Sequence, residues 1–193
     1  MLGEKNLLNF LRSLTSFSEE SYALLQPALE ERELKKNDFL LKEGEVCSSL
    51  FYIVDGYCKS YYEIDGEIKN TGFFFENEIA TNIQSFGSGE KSKFNIIACE
   101  TMTVVLFAKE KLFEIAKQSQ EVEALGRSCI RLYATKQEEL LTVFQLYSAQ
   151  ERLEYLENKR PEILKRVSLS QVASFLGVKR ETLSRIRRRR MSR

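Results

Sequence analysis

Ser168-Leu-Ser-Gln-Val-Ala-Ser-Phe-Leu-Gly-Val-Lys-Arg-Glu-Thr-Leu-Ser-Arg-Ile186 has the layout of a helix-turn-helix. Leu169, Val172, Ala173 and Leu176 recur at the three- and four-residue spacing that lines one face of a helix. Gly177 can take the left-handed backbone that ends such a helix, where a Cβ would be strained. Val178, Leu183 and Ile186 supply the apolar face of a second helix, and Ala173 is small where the two would cross. The second helix turns Lys179, Arg180, Glu181, Ser184, Arg185, Arg187 and Arg188 to its polar side, where guanidinium groups can meet phosphates or guanine edges in a major groove. Two short helices about a glycine occur in many proteins that never touch DNA, and a charge run is usually a solvated face. Here apolar spacing, turn glycine and concentrated arginine coincide, and DNA binding is the reading they favour. Arg187 to Arg190 add affinity rather than specificity, because four adjacent arginines cannot all face one groove.

Charge divides the chain at the same place. The net charge of +1 conceals 12 basic and 2 acidic residues in 159–193 against 17 basic and 26 acidic in 1–158, and a basic end on an acidic body points to a polyanionic partner for that end. With 43% apolar and 30% charged residues the composition is that of a globular chain, and 193 residues suffice for one sizeable domain and a smaller one. No apolar run approaches the roughly 20 residues needed to cross a bilayer, and residues 1–11 lack the shape of a signal peptide. A cytoplasmic location without a membrane partner is therefore expected. Cys47, Cys58, Cys99 and Cys129 lack the paired spacing of zinc or iron–sulfur ligation and read as buried free thiols. The absence of histidine removes the commonest metal ligand and general base, so no catalytic residue, metal or cofactor is expected.

Ahead of the motif, residues 34–108 favour strands, with β-branched and aromatic residues alternating with polar ones. Ser49–Val54 and Tyr57–Glu63 flank Asp55-Gly56, and Asp65-Gly66 leads into Glu67–Phe75. Such dipeptides suit tight hairpins, and the pattern reads as an antiparallel meander. Further strands are expected at Lys93–Glu100 and Thr103–Phe107, with Asn77 to Ser92 as the longest irregular segment. From about Glu121 to Tyr147 the period becomes helical, with Leu125, Cys129, Leu132, Leu140, Val143, Phe144 and Tyr147 forming a stripe. That stripe can pack on its own domain or form a two-helix dimer seam. Ser148-Ala-Gln-Glu151 is a capping box that starts a new helix carrying Leu153, Tyr155 and Leu156 inward and ending before Pro161, after which Pro161–Lys165 forms a short helical connector.

Lys179-Arg-Glu-Thr-Leu-Ser-Arg-Ile186 closely resembles the recognition helix of the Crp/Fnr regulators, the cyclic-AMP receptor protein superfamily, whose typical pattern is Ser-Arg-Glu-Thr-Val-Gly-Arg. Gly44-Glu-Val-Cys-Ser-Ser-Leu-Phe-Tyr-Ile-Val-Asp-Gly56 is similar to the family's β-roll signature, and the helix from about Glu121 resembles its dimerisation helix. The resemblance implies an α+β chain: an N-terminal double-stranded β-helix, jelly-roll-like, as a sensor domain over residues 1–120, a dimerisation helix over 121–147, and a small helix-turn-helix domain over 148–193. It also implies a homodimer, a pseudo-palindromic double-stranded DNA operator, RNA polymerase as a further partner, and a small-molecule effector. Arg180, Glu181 and Arg185 match the family's base-reading positions, arginine serving guanine and glutamate a cytosine amino group. Lys179 replaces the usual capping Ser, and the chain ends soon after the recognition helix, as in short variants of the motif.

Cyclic-nucleotide binders of the family carry Gly-Glu-Leu followed by Arg-Ser or Arg-Thr, which hold phosphate and ribose. The matching positions here are Thr81-Asn82-Ile83 and Lys91-Ser92, so the close backbone approach, the ribose acceptor and the guanidinium fork are all weakened. The resemblance therefore implies control by an effector other than cyclic AMP, with Thr81, Asn82, Ser85, Lys91 and Ser92 as the expected polar contacts of any ligand. Two other readings compete. A cyclic-nucleotide module using its basic end for a different partner would need the eroded cassette. A cupin-type enzyme would need histidine and glutamate metal ligands, and the chain has no histidine.

Overall fold

Ser49–Asp55 and Met102–Ala108 are nearly continuous apolar runs, the pattern of strands covered on both faces. In the computed structural model, which describes residues 2–191 and side-chain burial for residues 6–189, these are strands β3 and β8. The remaining strands are β1 (Leu29–Leu34), β2 (Phe39–Leu41), β4 (Cys58–Ile64), β5 (Glu67–Phe74), β6 (Ile79–Ala80) and β7 (Asn95–Ala98). The helices are α1 (Leu2–Leu14), α2 (Glu19–Leu25), α3 (Ile83–Ser88), α4 (Lys109–Ala116), α5 (Gln120–Leu146), α6 (Ala149–Lys159), α7 (Pro161–Arg166), α8 (Leu169–Leu176) and α9 (Arg180–Met191). Cα packing divides the chain into two units, Met1–Ser60 with Phe73–Leu132, and Tyr61–Gly72 with Tyr133–Arg193. The division passes through β4, β5 and α5.

Two four-stranded sheets, ordered β1-β8-β3-β6 and β2-β7-β4-β5, make the roll. One face of β3 and β8 gives Phe51, Ile53, Met102, Val104 and Leu106 to a core shared with Leu41, Ile96 and Ala98. The other face carries Tyr52, Val105 and Phe107, covered by Leu7, Leu11 and Leu25 of α1 and α2 and by Val122 and Leu125 of α5. Each such side chain stabilises by about 1.5–3 kcal/mol relative to exposure, and Ile53→Ala would cost about 2–5 kcal/mol with its cavity. The N-terminal helices, outside the strand-dominated sequence reading, are tied down by polar contacts too. Ser18 caps α2, and its N–H and Oγ–H both donate to Glu121, each at 2.8 Å.

The meander expectation is corrected at Asp55-Gly56. β3 and β4 lie in different sheets, so this dipeptide carries the chain across the roll and closes no hairpin. Gly56 has φ +84°, and a Cβ there would stand 2.5 Å from Met102 Cβ. Asp65-Gly66 does turn the β4–β5 hairpin, with φ +53° and +77°, the double positive φ of a primed turn. The expected irregular stretch Asn77 to Ser92 also contains β6 and α3. Six residues with two serines and a glycine have little intrinsic helicity, and α3 exists because Asn82 caps it and Gly89 ends it at φ +78°.

The second unit holds α6 to α9. Ser148 and Glu151 form the reciprocal capping box expected at the start of α6. Leu153, Leu156, Ile163, Val172, Ala173, Leu176 and Leu183 are among its buried residues, whereas Tyr155 is only half-buried. Among the described residues no helix is long and apolar enough to cross a membrane.

Candidate nucleic-acid interface

α8 begins at Ser168, whose Oγ accepts from Gln171 N–H at 3.4 Å, and ends at Gly177 in the left-handed region, φ +69°. Val178 N–H donates back to Ala173 C=O at 3.0 Å, the six-to-one closure of a Schellman turn. Leu183 N–H then donates to Lys179 C=O at 3.1 Å, so the backbone of Lys179 starts α9 without a serine cap. Val172, Ala173 and Leu176 of α8 are each 1% exposed and Leu183 of α9 is fully buried, which fixes the rotation of α9 about its axis.

That rotation decides which side chains face out. At about 100° per residue, Arg187, Arg180, Ser184, Arg188, Glu181 and Arg185 fall in that order within roughly 160° of arc, opposite Leu183 and Ile186. Arg180, Glu181, Arg185, Arg187 and Arg188 are exposed and Ser184 is half-buried, while Lys179 is exposed at the turn. Arg180, Glu181 and Arg185 make no side-chain hydrogen bond or ion pair among the described residues. The face thus offers guanidinium forks and one carboxylate, the donor and acceptor set that reads guanine and cytosine edges. Arg190 lies outside the residues of described burial.

Two clasps, neither anticipated from sequence, hold this unit together. Arg152 donates from Nη2 to Phe144 C=O at 2.7 Å, from Nε to Tyr147 C=O at 3.0 Å and from Nη1 to Leu176 C=O at 3.0 Å. Its guanidinium also lies over the Phe144 ring, 5.3 Å from the centroid, and Phe144 meets Phe175 edge-on. One cation thereby satisfies terminal carbonyls of both α5 and α8. A basic residue just past a long helix is the available signal for it. The second clasp is the β4–β5 hairpin. Asn70 N–H donates to Ser174 Oγ, and Ser174 Oγ–H donates to Ile68 C=O, both at 3.0 Å.

The long helix α5 uses part of the expected stripe internally. Leu125 and Val143 are buried, and Cys129, Leu140 and Phe144 are half-buried. The apolar residues left exposed on α5 include Ile130 at 58% and Leu141 at 56%, eleven residues and about three turns apart, on one face with Ala134. Leu132 is exposed on a different face.

The nucleotide-cassette positions present the opposite arrangement. Thr81, Asn82, Ser85 and Ser92 are all buried and bonded within the chain. Asn82 accepts from Ser85 N–H at 3.1 Å and donates to Ser92 Oγ at 2.9 Å, and Ser92 Oγ–H donates to Phe94 C=O at 2.7 Å. Ser85 Oγ accepts from Cys47 N–H at 2.8 Å and donates to Glu90 C=O at 2.5 Å. Thr81 Oγ1 lies 3.4 Å from Ser49 C=O. Only Lys91 is exposed. A ligand using these groups would first have to displace the bonds.

The cysteines are free, with Cys47 and Cys58 buried and Cys99 and Cys129 half-buried. Burial pushes Cys99 and Cys129 up to about 11 and Cys58 well up, so these thiols stay protonated and unreactive at neutral pH.

Comparison with known proteins agrees with this geometry. The cyclic nucleotide-binding domain family matches residues 31–119. The transcriptional activator protein Anr of Pseudomonas aeruginosa is 27% identical over 170 residues, covering 80% of this chain and 68% of Anr. FixK2 from Bradyrhizobium japonicum has the same fold, with TM-score 0.69 and 19% identity over 85% of each chain. A regulator assigned to the Crp/Fnr family from Eubacterium rectale gives TM-score 0.69 and 16% identity over 89% of this chain and 82% of its own. Residues 31–119 thus carry a cyclic nucleotide-binding domain, and the chain shares with these relatives the fold of the Crp/Fnr regulators, β-roll, long helix and helix-turn-helix.

Proposed function

We propose that the chain is a sequence-specific DNA-binding regulator that works as a homodimer and responds to an effector other than cyclic AMP. The observation that carries this reading is the outward arc of α9, where Arg180, Glu181 and Arg185 stand exposed, without a side-chain partner among the described residues, over a backing of buried Leu183. Arg180, Glu181 and Arg185 read bases, Ser184 and Arg188 flank them, and Lys179 grips phosphate beside the turn. The exposed line Ile130–Ala134–Leu141 supports a two-helix seam, which would set two recognition helices on half-sites about 34 Å apart. RNA polymerase is the further partner that such a regulator would address.

Selection of bound duplexes from a random library tests the reading. It should enrich one pseudo-palindromic sequence, and enrichment of none would refute it. Leu141→Glu should turn a dimer into a monomer in light scattering at micromolar concentration, because it places an unpaired charge in the seam. Calorimetry with cyclic AMP should show weak binding or none, since Asn82 and Ser92 are bonded to each other and Lys91 lacks the guanidinium fork.

A further inference from the structure

β1 contradicts the pattern a half-covered strand should have. Glu30 pairs with Leu106 and Arg32 with Val104, so both charged side chains lie on the same side of β1 as those core residues, yet they stay exposed, Glu30 at 63% and Arg32 at 50%. Beside them a cavity of about 220 Å³ opens between β1, β2, β3 and β8, with Leu34, Phe39 and Leu40 as its accessible apolar lining over the buried Phe51, Val104 and Leu106. It shares no residue with the cassette segment Thr81 to Ser92. Phe39, at its rim, remains 40% exposed.

The two charges are held together and yet incompletely used. Arg32 donates from Nη2 at 2.7 Å and from Nε at 3.3 Å, both to the same oxygen, Oε1 of Glu30. Arg32 Nη1 and Glu30 Oε2 have no hydrogen-bond partner among the described residues. Charges on β1, an edge strand, also discourage edge-to-edge pairing, but that role needs no hollow beside them. The volume equals that of about seven waters and lies below the roughly 300 Å³ at which drug-sized sites begin, so a nucleotide is too large. An anion alone would sit against Glu30 and a cation alone against Arg32. A zwitterion satisfies both.

We propose that this cavity binds a small zwitterion with an apolar side chain, of the class of aliphatic or aromatic α-amino acids. Its carboxylate takes Arg32, its ammonium takes Glu30, and its side chain lies over Leu34, Phe39 and Leu40. The test is calorimetry on the full chain with L-leucine, L-methionine and L-phenylalanine, against 4-methylpentanoate, which lacks the ammonium, and 3-methylbutylamine, which lacks the carboxylate. At least one amino acid should bind, with both truncated analogues weaker by about tenfold or more. Arg32→Gln and Glu30→Gln, both on an exposed strand, should each weaken it to a similar degree, and Arg32→Lys should fall between, because it keeps charge and loses the fork. No binding of any of the three amino acids up to about 10 mM would overturn the proposal. So would analogues that bind as well as the amino acid, or binding unchanged in Arg32→Gln. The assay contains no DNA, so its failure leaves the DNA-binding reading standing.

Discussion

The cassette segment around α3 and the second helix of the helix-turn-helix, α9, are both rich in small polar and charged residues, and the chain treats them oppositely. Around α3, Asn82, Ser85 and Ser92 are buried and each completes a bond to its own chain. On α9, Arg180, Glu181 and Arg185 are exposed, while the apolar residues beneath them do the holding. Polar groups bonded inward stabilise a fold; polar groups left outward on a rigid helix are available to a partner. The contrast supports the proposal that α9 meets a partner while the segment around α3 serves as scaffold.

The comparison can be broken from the inward side. Arg152 is basic but belongs with the inward class, and Arg152→Met should destabilise by about 3 kcal/mol in chemical denaturation, because three carbonyls lose a charge-assisted donor. Ser85→Ala should cost about 2 kcal/mol by the same measurement, since Cys47 N–H and Glu90 C=O are stranded in a buried place. A loss near zero would mean that these cassette bonds hold nothing. Ser148→Ala removes one cap and should cost about 1 kcal/mol.

The smallest effect is pH-dependent. The Ser18 N–H, and after it the Ser18 hydroxyl, hold the Glu121 carboxylate below its ordinary 4.5. A depressed carboxylate stabilises above its unfolded pKa, and that contribution disappears as pH falls through the folded value. Glu121→Gln should therefore lower the melting temperature slightly at pH 7, and the gap to the parent should close on acidification below 4.5. A gap independent of pH would show that the Ser18 contact is not what depresses Glu121.

The helix-turn-helix was legible because its signals are local: Gly177 at the turn, apolar spacing on either side, arginines on one arc. Asp65-Gly66 was legible for the same reason. Asp55-Gly56 announces a bend but not which sheet receives the next strand, and that depends on contacts with Met102 far along the chain. α3 was hidden because its helicity comes from a cap and from burial, not from its six residues. The partners of Arg152 are backbone carbonyls, which no sequence displays. Leu-Glu-Glu-Arg-Glu-Leu in β1 shows no alternation, so only the register with β8 reveals that Glu30 and Arg32 share the side of β1 on which Leu106 and Val104 lie.

The most direct measurement is a titration of Arg180→Ala, Arg185→Ala and Arg189→Ala on the selected duplex and on a scrambled one, at several salt concentrations. Arg180→Ala and Arg185→Ala should each lose about 1–3 kcal/mol on the selected duplex, relax discrimination at particular base pairs, and change little on the scrambled one. Arg189→Ala should weaken both duplexes alike and reduce the salt slope by about one phosphate contact. Equal losses on both duplexes for Arg180→Ala and Arg189→Ala would contradict the account, leaving α9 as an electrostatic anchor that reads no sequence.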